Sequence, residues 1–332
     1  MSDYLYSSAR VRALENSLLG REDLAHLAEC ATVESIVASL EEYGWEIIRD
    51  KDGVCEREKT LLHRLEQAHC EISELTEGEA TRLFALWRYP ADCNNLKAAI
   101  KCFFRKIDPT HLMLDYGTVD AETVVRAVTE GNPSALPDFL AEAAREAMED
   151  YAKNKNPQVI DLTIDKACYR AMLKAAEESR SSYAIELIRT RIDLINLVMC
   201  VRVKRMASGA MERALLEQSL LDGGVIAHGD MMELYDTEET ALWERLLYSD
   251  YKRFAEAMSS PAPSLTEVER AADNAWLTRV REAKFVPFGP EVLIGYLLAV
   301  ENDVRNLRMI MAGRVSGLSV ERIMERIRES YV

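Results

Sequence analysis

The stretch Asp303-Val304-Arg305-Asn306-Leu307 decides how this chain is read. Its D-x-x-N-L pattern recurs at Asp92-Cys93-Asn94-Asn95-Leu96 and at Asp193-Leu194-Ile195-Asn196-Leu197, with the aspartates 101 and 110 residues apart. Three nearly even copies argue for an internal triplication, in which Asp92, Asn95, Leu96, Asp193, Asn196, Leu197, Asp303, Asn306 and Leu307 define the repeat. Each copy lies in an apolar helical pattern. In the third, Leu293, Leu297, Val300, Val304, Leu307 and Met311 step by three and four, the spacing of one helix face. In the second, Ile188, Ile192, Ile195 and Met199 do the same, and the first runs through Leu96, Ile100 and Phe103 or Phe104. Asp, Asn and Leu at i, i+3 and i+4 share one side of a helix. Beside an apolar seam, such an Asp and Asn can hydrogen-bond a neighbouring helix or loop and fix how repeats dock. A repeated ligand or ion site is the other use of the same residues.

Composition agrees with helices. Only 14 Gly and 9 Pro occur among 332 residues, well under the roughly 12% usual for the two together. Long Ala/Leu/Glu/Arg-rich stretches favour helix throughout. The net charge of −15 disfavours nucleic acid and adhesion to an anionic leaflet. The longest apolar block, Leu293 to Val300, is far short of the roughly 18 residues that a spanning helix needs. Asp3, Tyr4 and Tyr6 before a charged helix do not read as a secretory signal. The seven cysteines are odd in number and form no C-x-x-C pair, which reads as reduced thiols in a cytosolic compartment.

In chain order, a first helix carries Val11, Leu14, Leu18 and Leu19 and stops at Gly20. Two short helices follow over 22–43, then one from about Cys55 to Leu75 with a seam of Leu61, Leu65, Ala68, Ile72 and Leu75. That helix holds His63 and an E-x-x-H, Glu66 to His69, but helical di-iron sites need two such motifs and further glutamates. Pro90 is expected in the first turn of the first repeat helix. Further short helices span 117–151, and Lys153-Asn154-Lys155-Asn156-Pro157 marks a module boundary. Helices are then expected over about Thr163–Glu178 and Ser181–Met206, with a second punctuated stretch at Ser259–Ser264. Phe288-Gly289-Pro290-Glu291 opens the last repeat helix, and an amphipathic helix over Ser319–Ser330 is expected to close the chain.

Signatures of chemistry are missing. The sequence has no G-x-x-x-x-G-K-[ST] phosphate loop, no G-x-G-x-x-G, no G-x-S-x-G elbow, no H-E-x-x-H and no paired-cysteine zinc spacing. Basic residues gather along each repeat helix instead. Lys101, Arg105, Lys106, Arg202, Lys204, Arg205, Arg308 and Arg314 are candidates for a partner interface, with Lys97 and Arg305 beside them. A solvated face with i, i+4 ion pairs is the alternative use of these charges.

Tyr4 to Leu24 (YLYSSARVRALENSLLGREDL), Trp87 to Lys97 (WRYPADCNNLK) and Phe288 to Arg314 (FGPEVLIGYLLAVENDVRNLRMIMAGR) resemble the C subunit of archaeal and bacterial V/A-type rotary ATPases, the counterpart of the eukaryotic d subunit. The resemblance implies an all-α, funnel-shaped protein of three similar helical subdomains in a pseudo-threefold arrangement. Residues 1–155, 156–260 and 261–332 would be the modules, the third completed by the N-terminal helices. It also implies a non-catalytic central-stalk protein without cofactor or metal, peripheral on the cytoplasmic face of the membrane. Its partners would be the proteolipid rotor ring and the central-stalk axle subunits. Its task would be to transmit torque for ATP-coupled H⁺ or Na⁺ transport, without nucleic acid and without insertion into the bilayer. A helical-repeat scaffold of another assembly is the alternative, although spacings above 100 residues exceed the roughly 40–47 of HEAT-like units.

Overall fold

In the computed structural model, which describes residues 4–76, 79–206, 210–258 and 263–332, helices form every regular element among the described residues except one antiparallel bridge between Arg49 and Cys55. The fold is all-α. In chain order the helices are α1 (Leu5–Leu14), α2 (Arg21–Glu29), α3 (Val33–Glu42), α4 (Arg57–Glu74), α5 (Glu79–Ala85), α6 (Tyr89–Arg105), α7 (Ala121–Thr129) and α8 (Asp138–Asn154). There follow α9 (Pro157–Glu178), α10 (Ser182–Lys204), α11 (Ala210–Ser219), α12 (His228–Asp236) and α13 (Glu239–Leu246). The last are α14 (Lys252–Glu256), α15 (Leu265–Val280), α16 (Pro290–Val315) and α17 (Val320–Met324). The expected C-terminal boundary at Ser259–Ser264 falls largely on residues 259–262, outside the described residues, as does Asp3.

Local chemistry sets the helix ends. Thr32 Oγ1 accepts the Ser35 N–H at 3.2 Å and starts α3, and Asp120 accepts the Thr123 N–H at 2.9 Å and starts α7. Ser264 and Glu267 form a reciprocal capping box at α15. Pro90, Pro157 and Pro290 all stand in first turns, where a missing N–H costs nothing. Pro157 starts α9 six residues before the expected Thr163, with Asn156 capping it through the Gln158 N–H at 3.0 Å.

Two compact units result. The first comprises Met1–Thr76, Leu194–Glu217 and Gly229–Val332, and the second Glu77–Asp193 and Gln218–His228. At the centre of the first unit is α16, which packs against α1, α2, α3, α4 and α15. Leu293, Ile294, Tyr296, Leu297, Leu298, Val300 and Leu307 are all buried, so the helix is apolar around most of its girth rather than on one stripe. Each such side chain contributes about 1.5–3 kcal/mol when fully buried. The second unit packs α6 on α7, α8 and α9, and α8 on α9. Ala141, Ala143, Ala144 and Ala147 are buried on α8, and Ile160, Ile164, Cys168 and Met172 line α9 at four-residue steps. Small residues on one helix against large ones on the other allow close interdigitation. The Lys153–Pro157 stretch is a tight turn inside this unit, with Lys155 in the left-handed region at φ 53°.

The chain's end departs from expectation. The helix anticipated over Ser319–Ser330 is confined to Val320–Met324, and the backbone beyond it is irregular. Side chains from other helices capture that backbone. Asn306 takes both the N–H and C=O of Arg328, Asn274 accepts the Glu329 N–H at 2.9 Å, and Asn302 donates to the Glu329 C=O at 2.8 Å. The amphipathic pattern is real at Ile323 and Ile327, both buried, but these side-chain bonds replace the i→i−4 ladder.

Candidate functional site

The repeated Asp and Asn build three polar clasps inside apolar surroundings. On α6, Asp92 accepts the Thr118 hydroxyl at 2.6 Å and the Val119 N–H at 3.0 Å. Asn95, one turn on, accepts the Leu114 N–H at 2.7 Å and donates to the Leu114 C=O at 2.8 Å. On α10, Asp193 accepts the Val225 N–H at 2.7 Å and the Ile226 N–H at 3.2 Å. On α16, Asp303 accepts the Leu19 N–H at 2.9 Å, and Asn306 holds Arg328 at 2.8 and 3.2 Å. The six polar residues and Leu96, Leu197 and Leu307 are all buried.

One rule joins the three sites. The amide that reaches the aspartate stands two residues before a helix: Val119 before α7, Ile226 before α12 and Leu19 before α2. Two glycines that the sequence pattern did not single out for a role belong to the rule. A Cβ on Gly117 would lie 2.2 Å from Asp92 Oδ1, and one on Gly224 would lie 2.1 Å from Asp193 Oδ1. Each precedes the clasped amide by two residues, and only glycine lets the loop approach so closely. A Gly 25 and 31 residues after the motif aspartate was the signal available in sequence. At the corresponding position before Leu19 the third site has Ser17.

Electrostatics separates the sites as well. Burial pushes the Asp92 carboxyl above its ordinary value, opposed by the Thr118 and Val119 bonds. The same burial takes Asp303 up to about 8, opposed by a single hydrogen bond, from the Leu19 N–H, and by the Arg64 charge. Asp303 Oδ1 is buried with no hydrogen-bond partner among the described residues.

Most of the basic candidates are engaged within their own units. Lys97 pairs with Asp165 and Lys101 with Asp161, each at 2.5 Å. Arg202 pairs with Glu269 at 2.5 Å, and Arg308 with Glu58 at 2.5 Å. Lys204 donates to the Tyr235 and Thr237 carbonyls, and Arg314 to the Ala28 carbonyl. Arg205 holds Glu239 below the usual carboxylate range through a direct hydrogen bond, and donates to Pro263 O at 2.5 Å. Arg305 bridges Asp273 and Glu301. Arg105 and Lys106 are exposed and form no ion pair among the described residues. Lys101 and Arg105 share a cleft of about 520 Å³ with Ile107, His111 and Leu112. On α4, His63 faces Glu46 at 3.2 Å. No group of three metal-ligating side chains occurs among the described residues.

A second surface feature is apolar. In the first unit, Leu5 and Tyr6 on α1 and Phe285 and Phe288 before α16 are exposed, Phe285 by 87% and Tyr6 by 73%. Ser8 Oγ accepts the Gly289 N–H at 3.0 Å, and Arg12 donates to the Ala283 and Val286 carbonyls, both at 2.7 Å. These bonds hold together two segments that each carry exposed apolar, largely aromatic side chains.

Comparison with known families decides the affiliation. The family model "ATP synthase (C/AC39) subunit" matches residues 7–326. The chain belongs to that family. Among its relatives, the C subunit of the A-type ATP synthase of Thermococcus kodakarensis is 24% identical across 98% of this chain and 90% of its own length. The C subunit of the V-type sodium ATPase of Enterococcus hirae is 22% identical, covering 97% of each chain. The C subunit of the A-type ATP synthase of Methanocaldococcus jannaschii is 24% identical across 97% of this chain and 86% of its own. As a C/AC39 family member the protein is one component of a rotary ATPase, with partner subunits in a membrane-associated complex. No helix among the described residues is long and apolar enough to cross a membrane. Within the C/AC39 match lie the aspartate and the asparagine of every clasp, from Asp92 to Asn306.

Proposed function

We propose that this chain is the non-catalytic central-stalk component of a V/A-type rotary ATPase. It joins the axle of the soluble head to the proteolipid ring on the cytoplasmic face and passes torque between them during ATP-coupled H⁺ or Na⁺ transport. Three similar modules in pseudo-threefold arrangement form its body on this reading.

The clasps carry the proposal. A coupling has to be stiff, and helices alone are stiff only along their axes. Here the long helices α6, α10 and α16 each fix a distant loop by charged or bidentate hydrogen bonds from buried side chains. Such bonds are stronger than those at the surface, and packed interiors deform little. A coupling also needs contact surfaces. Tyr6, Phe285 and Phe288, on the two segments joined by Ser8 and Arg12, have the exposed aromatic character enriched at interfaces. Arg105 and Lys106, without an ion pair among the described residues, are a second candidate contact.

Native mass spectrometry of the tagged full chain, recovered from its own cells in mild detergent, tests the reading. The expected result is one copy of this chain with proteolipids and axle subunits. Substituting Phe285 and Phe288 by Ser is expected to lower recovery of at least one of those partners tenfold or more. A lone monomer, or unrelated soluble partners, under conditions that keep other membrane complexes whole would overturn it.

A further inference from the structure

The three clasps are each other's controls, and the third is unlike the other two. Asp92 and Asp193 use both carboxylate oxygens. Asp303 uses one. The cause lies in the residue before the clasped amide. At the first site it is Thr118, which supplies a hydroxyl. At the second it is Val225, which supplies its N–H. At the third it is Leu18, which has no hydroxyl and whose N–H is already spent on Glu15 O at 3.1 Å. The next amide, Gly20 N–H, goes to Asp23 Oδ2 at 2.8 Å. The loop is also discontinuous. Leu19 reaches Asp303 across 284 positions of sequence, while the other half of the site is the tail around Arg328.

We propose that the joint between the Leu18–Gly20 segment and α16 is a latch held shut by a proton on Asp303 and loosened when that proton leaves. A neutral carboxyl can be buried with one bond. A carboxylate with one bond, and with only the charge of an Arg64 that is hydrogen-bonded elsewhere to oppose its burial, is costly to bury, and the least costly response is to admit water by releasing the segment. No neighbour among the described residues pairs with it. On α4, the Arg64 charge favours the carboxylate, but its guanidinium donates to Tyr296 Oη at 2.9 Å and to Ser17 Oγ at 3.4 Å and lies 3.8 Å from Glu71. On α2 the nearby charge is Asp23, of the wrong sign. On α1, Arg12 and Glu15 pair at 2.7 Å. Asp273 of α15 is held by Arg305 and Arg328. Before α16, Lys284 donates to Tyr331 O and Arg281 pairs with Glu329. From α3 and α17 the buried faces are Ile36, Val37, Leu40 and Ile323. Linkage gives the direction. An acid whose folded-state value is raised to about 8 holds the joint fully below the ordinary carboxyl range, and the hold weakens as pH rises toward 8. The tail stays in place, because Asn274, Asn302 and Asn306 hold it without titrating. The latch is independent of the identity of the partners.

The test is amide hydrogen exchange on the full chain between pH 6 and 9, expressed as protection after division by the intrinsic exchange rate. Protection at Leu19 is expected to fall at least tenfold, while Val119 and Ile226, the equivalent amides of the other clasps, change less than threefold. In Asp303→Asn, the fall at Leu19 is expected to vanish. Parallel behaviour of the three amides in the unsubstituted protein would overturn the proposal without any variant. So would an undiminished fall at Leu19 in Asp303→Asn.

Discussion

The first and third clasps use the same residues on equivalent helix faces and differ in how their loops are supplied. In the first, one continuous loop brings Leu114, Gly117, Thr118 and Val119 to α6 in sequence order, and the side-chain oxygens of Asp92 and Asn95 all find partners there. In the third, the backbone comes from two stretches of chain, one around Leu19 and one around Arg328. The asparagine half is over-provided, with three asparagines on two consecutive residues, and the aspartate half is under-provided. A motif fixes what its own helix contributes. It cannot guarantee what the distant backbone offers in return.

The strongest way to break the comparison is steric. Gly117→Ala and Gly224→Ala place a methyl about 2 Å from a buried, hydrogen-bonded carboxylate oxygen, and each is expected to cost about 2–3 kcal/mol. Ser17→Ala, at the same position of the third site, crowds no carboxylate and removes a bond to Leu14 O and a long one from Arg64, and is expected to cost about 1 kcal/mol. Urea midpoints at constant slope measure all three.

Next in size is the asparagine pair. Among the described residues Asn95 alone holds the Leu114 backbone, so Asn95→Ala strands an N–H and a C=O and is expected to cost about 2–3 kcal/mol. Asn306→Ala leaves Asn274 and Asn302 on the neighbouring residue, and about 1 kcal/mol is expected. Equal costs in the same urea measurement would mean that the third tail is not held redundantly.

The smallest difference sharpens the comparison at its edge. Lys97 and Arg308 each stand two residues after the clasp asparagine, and each forms an ion pair at 2.5 Å. The Lys97 side chain is 16% exposed and that of Arg308 46%. Lys97→Ala is expected to cost about 1 kcal/mol or less, and Arg308→Ala about half that, with the Arg308 effect disappearing in molar salt.

Much of the fold was legible because its information is local. Apolar spacing placed the repeat helices, Pro90 and Pro290 marked first turns, and the three D-x-x-N-L copies marked the helices that carry the clasps. Locality also explains the error at the chain's end. Val320, Ile323, Met324 and Ile327 carry a sound helical pattern, and asparagines on α15 and α16 override it after Met324.

The helical class, the helix faces and the residues that recur are thus properties of the chain read locally. These follow from periodicity and capping within a few positions. Only the tertiary structure decided which backbone answers each aspartate, why Gly117 and Gly224 must lack a side chain, and that Arg202, Lys204, Arg205, Arg308 and Arg314 are largely spent on their own chain. Their partners lie between 31 and 286 positions away. A charge or a carboxylate has no fixed meaning until folding determines what stands within about 3 Å of it, because hydrogen bonds and close ion pairs act only at that range.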